Sequence, residues 1–138
     1  MKLKRTLLLL LAATGMAAAG VAAAHGSGET VKPNFTHAIP NIPGKSLVAL
    51  EVLYAPGGAS LPHRHAKSAF IYAYVVSGSI ASKVNDGPER IYKAGQSFYE
   101  EPGSSHPVSR NASKTQPAKL LAVFVVDSDD KELTTNEK

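Results

Sequence analysis

The sequence predicts an all-β chain folded as an antiparallel sandwich or barrel. Three observations point there. Short apolar runs recur at close spacing, and Gly, Pro, Asn and Asp punctuate them. Beyond the first two dozen residues no stretch keeps a convincing helical period.

Taken in order, residues 1–24 read as a secretory signal peptide rather than as part of the fold. Lys2, Lys4 and Arg5 form a basic start, an apolar run follows over 7–13, and Ala22-Ala23-Ala24 makes a small-residue cleavage pattern before His25. The rival reading is a membrane anchor, but Gly15, Gly20 and the alanine-rich second half make the run weakly apolar. Cleavage after Ala24 takes 24 residues from 138 and leaves 114, a single domain large enough to bury a core without staples. The chain has no cysteine, so neither disulfides nor thiolate ligands enter. Three of the fifteen basic residues and none of the eleven acidic ones lie in the leader, so the formal charge of +4 falls to near +1. That balance, with no basic stripe, argues against nucleic-acid binding. The expected location is periplasmic or secreted, with no membrane attachment after signal cleavage.

Residues 25–45 are rich in Gly, Pro, Asn and Thr and read as an N-terminal arm with little regular structure. The β domain is expected over 46–127. A strand over 47–53 leads to the turn Pro56-Gly57-Gly58. An aromatic and β-branched run, 69–76, ends at Ser77-Gly78, and 80–84 follows as a short strand. Asn85-Asp86-Gly87-Pro88 is a hairpin signal, because Asn, Asp and Gly tolerate positive φ. Strands over 90–93, 97–100, 106–110 and 118–126 complete the domain, and 128–138 read as a polar tail.

His63 and His65 are two apart at a strand start, so both side chains share one face and can meet one ion. Alone, such a pair is as easily a solvated surface feature. Its setting is more specific: Gly57 stands at the head of a five-residue gap before the His-x-His, and a second stretch from Gly95 ends in Pro102-Gly103-Ser104-Ser105-His106.

These two stretches resemble the paired signature motifs of the cupin superfamily. The first runs glycine, five residues, His-x-His, a glutamate and a later glycine; the second runs glycine, five residues, Pro-x-Gly-x-x-His and a nearby Asn. The 16 residues between Gly78 and Gly95 match the short spacer of small microbial cupins, and the resemblance covers about 47–126. It implies a jelly-roll-like double-sheet β-barrel with His63, His65 and His106 pointing inward onto one divalent transition metal ion: iron, manganese, zinc, nickel or copper. Imidazole ligands suit those ions and not calcium.

The sequence departs from this pattern at the acidic ligand. Its place falls near Ala69 or Phe70 counting from His65, and at Ile71 counting back from Gly78. None of these can bind metal. Glu101 replaces the first proline of the second motif, and Asn111 falls one residue late. Glu100 stands at a position that is usually apolar and inward-facing. A carboxylate there is costly unless paired or bound to a cation, so Glu100 is a candidate fourth ligand, partner of a ligand, or general base. The alternative is a bulge that turns it outward. Tyr99 is a second candidate for moving a proton.

The one-residue disagreement between the two counts leaves open which face Tyr72 and Tyr74 occupy. Arg64 is expected to point outward. His37 reads as a surface residue, and His25 with the terminal amine as a copper chelate only against the stronger reading of a disordered arm. Asn34 and Asn111 sit in glycosylation sequons; Asp127, Asp129, Asp130 and Glu132 read as a solvated acidic patch. Two functions from different classes follow. One is a metal-dependent oxygenase, isomerase or lyase acting on a small oxygen-bearing molecule. The other is a non-catalytic periplasmic module binding a metal or small ligand. A homodimer formed through strand edges, with the arm crossing to the partner, is a further expectation.

Overall fold

A computed structural model describes residues 26–138. The signal segment and the His25 chelate lie outside these residues. Among the described residues every regular element is a strand: β1 Glu29–Ala38, β2 Lys45–Tyr54, β3 His63–His65, β4 Phe70–Ser77, β5 Ser79–Lys83, β6 Arg90–Lys93, β7 Ser97–Glu100, β8 Ser105–His106, β9 Val108–Asn111, β10 Ala118–Asp127 and β11 Thr134–Asn136.

The five-stranded sheet has the order β1-β2-β10-β4-β7, and all its pairings are antiparallel. Two three-stranded sheets, β11-β3-β8 and β6-β5-β9, form the rest. The arrangement is a jelly-roll-like double sheet. This is the expected fold class; the strands bond as three sheets rather than one continuous closed barrel, and backbone bonds such as Asn85 N–H to the Ser105 carbonyl and Gly95 N–H to the Val75 carbonyl link them.

Strand alternation builds the core. β10 buries Ala118, Leu120, Ala122, Phe124 and Val126 and turns every second residue outward. β2 contributes Val48, Leu50, Val52 and Tyr54, and β4 contributes Ile71, Ala73 and Val75. One cluster extends to Ala69 and Leu133, the other to Ile80. Each fully buried aliphatic side chain in these rows contributes about 1.5–3 kcal/mol.

Turn chemistry shapes the connections. Asn85 has φ 50°, the left-handed conformation expected of the hairpin Asn. Gly78 has φ 73°, and a Cβ there would come within 2.6 Å of the Pro117 carbonyl oxygen, so the end of β4 requires glycine.

Two segments differ from expectation. The arm is not irregular: β1 pairs with β2 along almost its whole length, its residues satisfying backbone bonds that composition did not advertise. The polar tail likewise carries β11, which pairs with β3, and Leu133 just before it is buried. The strand expected over 106–110 divides at Pro107, which has no N–H to donate. β4 also resolves the facing of the tyrosines. Ile71 and Ala73 point inward, so Tyr72 is exposed and Tyr74 half-buried on the outer face.

Candidate metal centre

His63 and His65 flank Arg64 on β3 in a buried-exposed-buried pattern. Their exposures are 7% and 6%, while Arg64 turns out to bond Glu137 at 2.7 Å and the Gly103 carbonyl at 3.0 Å. β8 pairs with β3 so that His106 lies directly opposite His63. The three imidazoles are therefore gathered by one small sheet, and a ligand atom from each lies within 4.8 Å of the other two. His65 packs against Phe124 and His106 against Phe98, which fixes both rings.

Glu100 comes from the other layer. It ends β7, pairs with Ile71 of β4 and is 3% exposed. No bulge turns it out. Its Oε2 lies 2.9 Å from His65 Nε2 and its Oε1 lies 3.3 Å from His106 Nδ1. The 2.9 Å approach is off the line a hydrogen bond requires, so both ring nitrogens of His65 and Oε2 of Glu100 stay buried without a hydrogen-bond partner. Ile71, where the motif count back from Gly78 put the missing acidic ligand, faces the same cavity. The carboxylate facing that cavity stands on the adjoining strand, at Glu100, the register partner of Ile71.

Anchors orient the other rings. His63 Nδ1–H donates to the Leu61 carbonyl at 2.7 Å, which leaves its Nε2 free. His106 Nε2 bonds Ser82 Oγ at 2.8 Å, which turns Nδ1 toward Glu100. Burial pushes the His106 pKa down to about 4 and lowers that of His63, so both are neutral lone-pair donors at neutral pH. Burial alone would raise the Glu100 carboxyl. The His65 ring close beside it, with the fields of His106 and His63, outweighs burial and holds it below the ordinary range.

A divalent transition ion fits these residues. A buried carboxylate oxygen and buried imidazole nitrogens without partners are expensive unless a cation joins them. The 2.9 Å and 3.3 Å separations also match the spacing of neighbouring ligands around one ion. Bonds of about 2.1 Å give roughly 3.0 Å between ligand atoms at right angles and about 3.4 Å in a tetrahedron.

Tyr99 is not part of the centre. Its neighbour Glu100 points in, so Tyr99 points out; it is 61% exposed and stacks on Phe70 at 6.0 Å. Its expected proton-transfer role is corrected on that ground. Asn111 is buried, its amide donating to the Ala55 and Gln116 carbonyls and accepting from Ser113 N–H. It clamps a loop and is no accessible sequon. Asp127 pairs with Lys45 and Asp130 accepts from Ser68.

The residues that sequence reading missed line the same cavity, which has a volume of about 60 Å³. Tyr54, Ser60, Ser109 and Glu29 border it beside the histidines and Glu100. Two serines, a tyrosine and a glutamate on separate strands and a loop carry no sequence signal of their own. Only the inward parity of Tyr54 along β2 hinted at it.

Comparison with known proteins adds the following. The family model described as "Cupin domain" matches residues 50–124. No curated protein matches the chain. Among solved structures, an oxalate oxidase in complex with the substrate analogue glycolate is 23% identical with TM-score 0.58, over 72% of this chain and 52% of its own. The chain thus spans about half the length of that enzyme. An RmlC-like cupin from Shewanella frigidimarina is 24% identical with TM-score 0.55, over 76% of this chain and 82% of its own. KdgF from Halomonas sp. is 21% identical with TM-score 0.57, over 75% and 83%. At these identities the likeness is one of fold.

Proposed function

The chain belongs to the cupin domain family, and on that premise we propose that it is an exported metalloprotein holding one divalent transition ion through His63, His65, His106 and Glu100. The ion is iron, manganese, zinc, nickel or copper, and the reaction is an oxygenation, isomerisation or lysis of a small oxygen-bearing molecule. The observation that carries this reading is three buried imidazoles whose ligand atoms lie within 4.8 Å of one another, beside a buried Glu100 oxygen that has no hydrogen-bond partner.

When bound, such an ion supplies Lewis-acid polarisation of a substrate oxygen. The chain's own residues do the rest. Ser82 and the Leu61 carbonyl hold two rings in register, and Glu100 contributes the negative charge that favours a dication. The aliphatic walls from β2, β4 and β10 exclude water and strengthen every charge interaction inside. The cavity admits a molecule of only a few heavy atoms.

The four-ligand set also supports the second reading, a non-catalytic binding module. Four protein ligands complete a tetrahedral ion, whereas an ion of higher coordination keeps open positions for substrate. Export to the periplasm or medium follows from the leader pattern, and a homodimer from the exposed edge strand β1.

The test is metal content by mass spectrometry on the purified chain, with oxygen uptake and product analysis on hydroxyketone, diketone and phenolic substrates after metal loading. One ion per chain with turnover is expected. One ion without turnover selects the binding module, and a chain that takes up no metal refutes both.

A further inference from the structure

Beside the metal centre, four polar side chains form one hydrogen-bonded row. Glu29 accepts from the Ser60 hydroxyl, and its other oxygen accepts the Gly26 N–H at 2.7 Å. Tyr54 Oη lies 2.6 Å from Ser60 Oγ and 2.8 Å from Ser109 Oγ. Tyr54 is only 2% exposed, and burial pushes its phenol pKa up to about 12, so it keeps its proton.

The direction of the row follows from proton counting. A carboxylate only accepts, and each hydroxyl has one proton to give. Ser60 gives its proton to Glu29, so Tyr54 must give its own to Ser60, and Ser109 must give its own to Tyr54. All three protons run toward Glu29. The end of the row, Ser109 Oγ, is left with lone pairs and no proton to offer. Ser109 on β9 stands directly opposite Ser82 on β5, the residue that anchors His106. The acceptor end of the row therefore lies one strand from the metal centre, in the same cavity. Among the described residues lining that cavity none is Lys or Arg, while two, Glu29 and Glu100, are carboxylates.

We infer that the row Glu29–Ser60–Tyr54–Ser109 is an acceptor subsite that selects a small uncharged ligand carrying a hydroxyl and disfavours a carboxylate at the same place. The inference rests on the reading of this cavity as the ligand site. It makes the preferred substrate a hydroxylated neutral molecule, with a second oxygen left for the metal end. An anionic group at Ser109 would meet lone pairs and a negative field, with no donor to receive it.

The test compares two probes of similar size, hydroxyacetone and pyruvate, by calorimetric titration of the manganese-loaded chain, since manganese takes more than four ligands. The ratio of their affinities is followed across variants, which cancels any preference of the metal itself. Ser109→Ala should weaken hydroxyacetone at least fivefold and leave pyruvate unchanged. Glu29→Gln supplies an amide that can donate to Ser60, so the row can reverse and Ser109 can turn its proton to the cavity. The hydroxyacetone-to-pyruvate ratio should then fall at least tenfold, a change that a merely structural role would not produce. Circular dichroism confirms the fold, and Ser109→Ala carries the test if Glu29→Gln does not fold. Equal shifts for both probes, no shift, or no binding of either overturns the inference. Metal content measured on the same samples separates the two readings. No metal with the ratio shift intact refutes the metalloprotein and leaves the subsite, whereas metal present with no ratio shift refutes the subsite alone.

Discussion

Replacing Glu100 by Gln keeps the side-chain volume and removes one charge, which makes it the sharpest probe of the centre. Glu100 lies 2.9 Å from a nitrogen of His65 and 3.3 Å from one of His106, and its Oε2 is buried without a hydrogen bond. A group that merely steadies a metal ligand is worth about 10–100-fold in affinity. A carboxylate that is itself a ligand should exceed this range, so Glu100→Gln should weaken metal binding by more than about 100-fold, or roughly 2.7 kcal/mol. The metal-free fold should change little, within about 1.5 kcal/mol, because the substitution conserves volume. The assays are competition with a chromophoric chelator for affinity and urea denaturation of the metal-free chain for stability. An unchanged dissociation constant would refute the ligand role. A large loss of metal-free stability with affinity intact would instead make Glu100 a structural partner of His65.

Further outcomes follow from the same geometry. Placing the carboxylate on the other strand, Ile71→Glu with Glu100→Ile, should restore metal affinity to within about tenfold of the parent, since the two positions are register partners on one cavity wall; chelator competition checks it, and an affinity as low as that of Glu100→Gln counts against the strand exchange. Ser82→Ala removes the anchor of His106 and should cost about 10–100-fold in metal affinity with little effect on secondary structure. The metal-free chain should lose stability as pH falls from about 6.5 toward 4. The folded state holds the His106 pKa near 4, against 6.5 as its ordinary value, so the unfolded chain takes up the proton first. The contribution is absent as a penalty above 6.5 and grows to about 3 kcal/mol near pH 4, with His63 acting in the same direction. Urea midpoints at pH 7 and 4.5 measure it, and equal midpoints would contradict it.

Much of the centre was legible in the chain itself. His63 and His65 fall two apart, so any strand through them must place both on one face, and the turn before His106 brings a third imidazole at motif spacing. The absence of an acidic residue at 69–71 was equally plain. The strand β1 was not, because its Pro, Asn and Thr content resembles a loop and its pairing with β2 is a long-range event. Nor was β11, whose polar residues gain a partner only where β3 presents an edge.

The sequence by itself determined the ligand types, their local spacing and the all-β pattern, since a period of two is a property of the backbone alone. Tertiary structure decided which face of each strand looks inward and which distant strands meet. Register set Glu100 against Ile71 and sent Tyr99 to the surface; a slip of one residue would have exchanged them. The same packing brought Ser82 to His106 and joined Tyr54, Ser60, Ser109 and Glu29, residues from separate strands and loops, into one directed row. Hydrogen bonds between residues far apart in the chain exist only once the layers close, and so no local pattern could announce them.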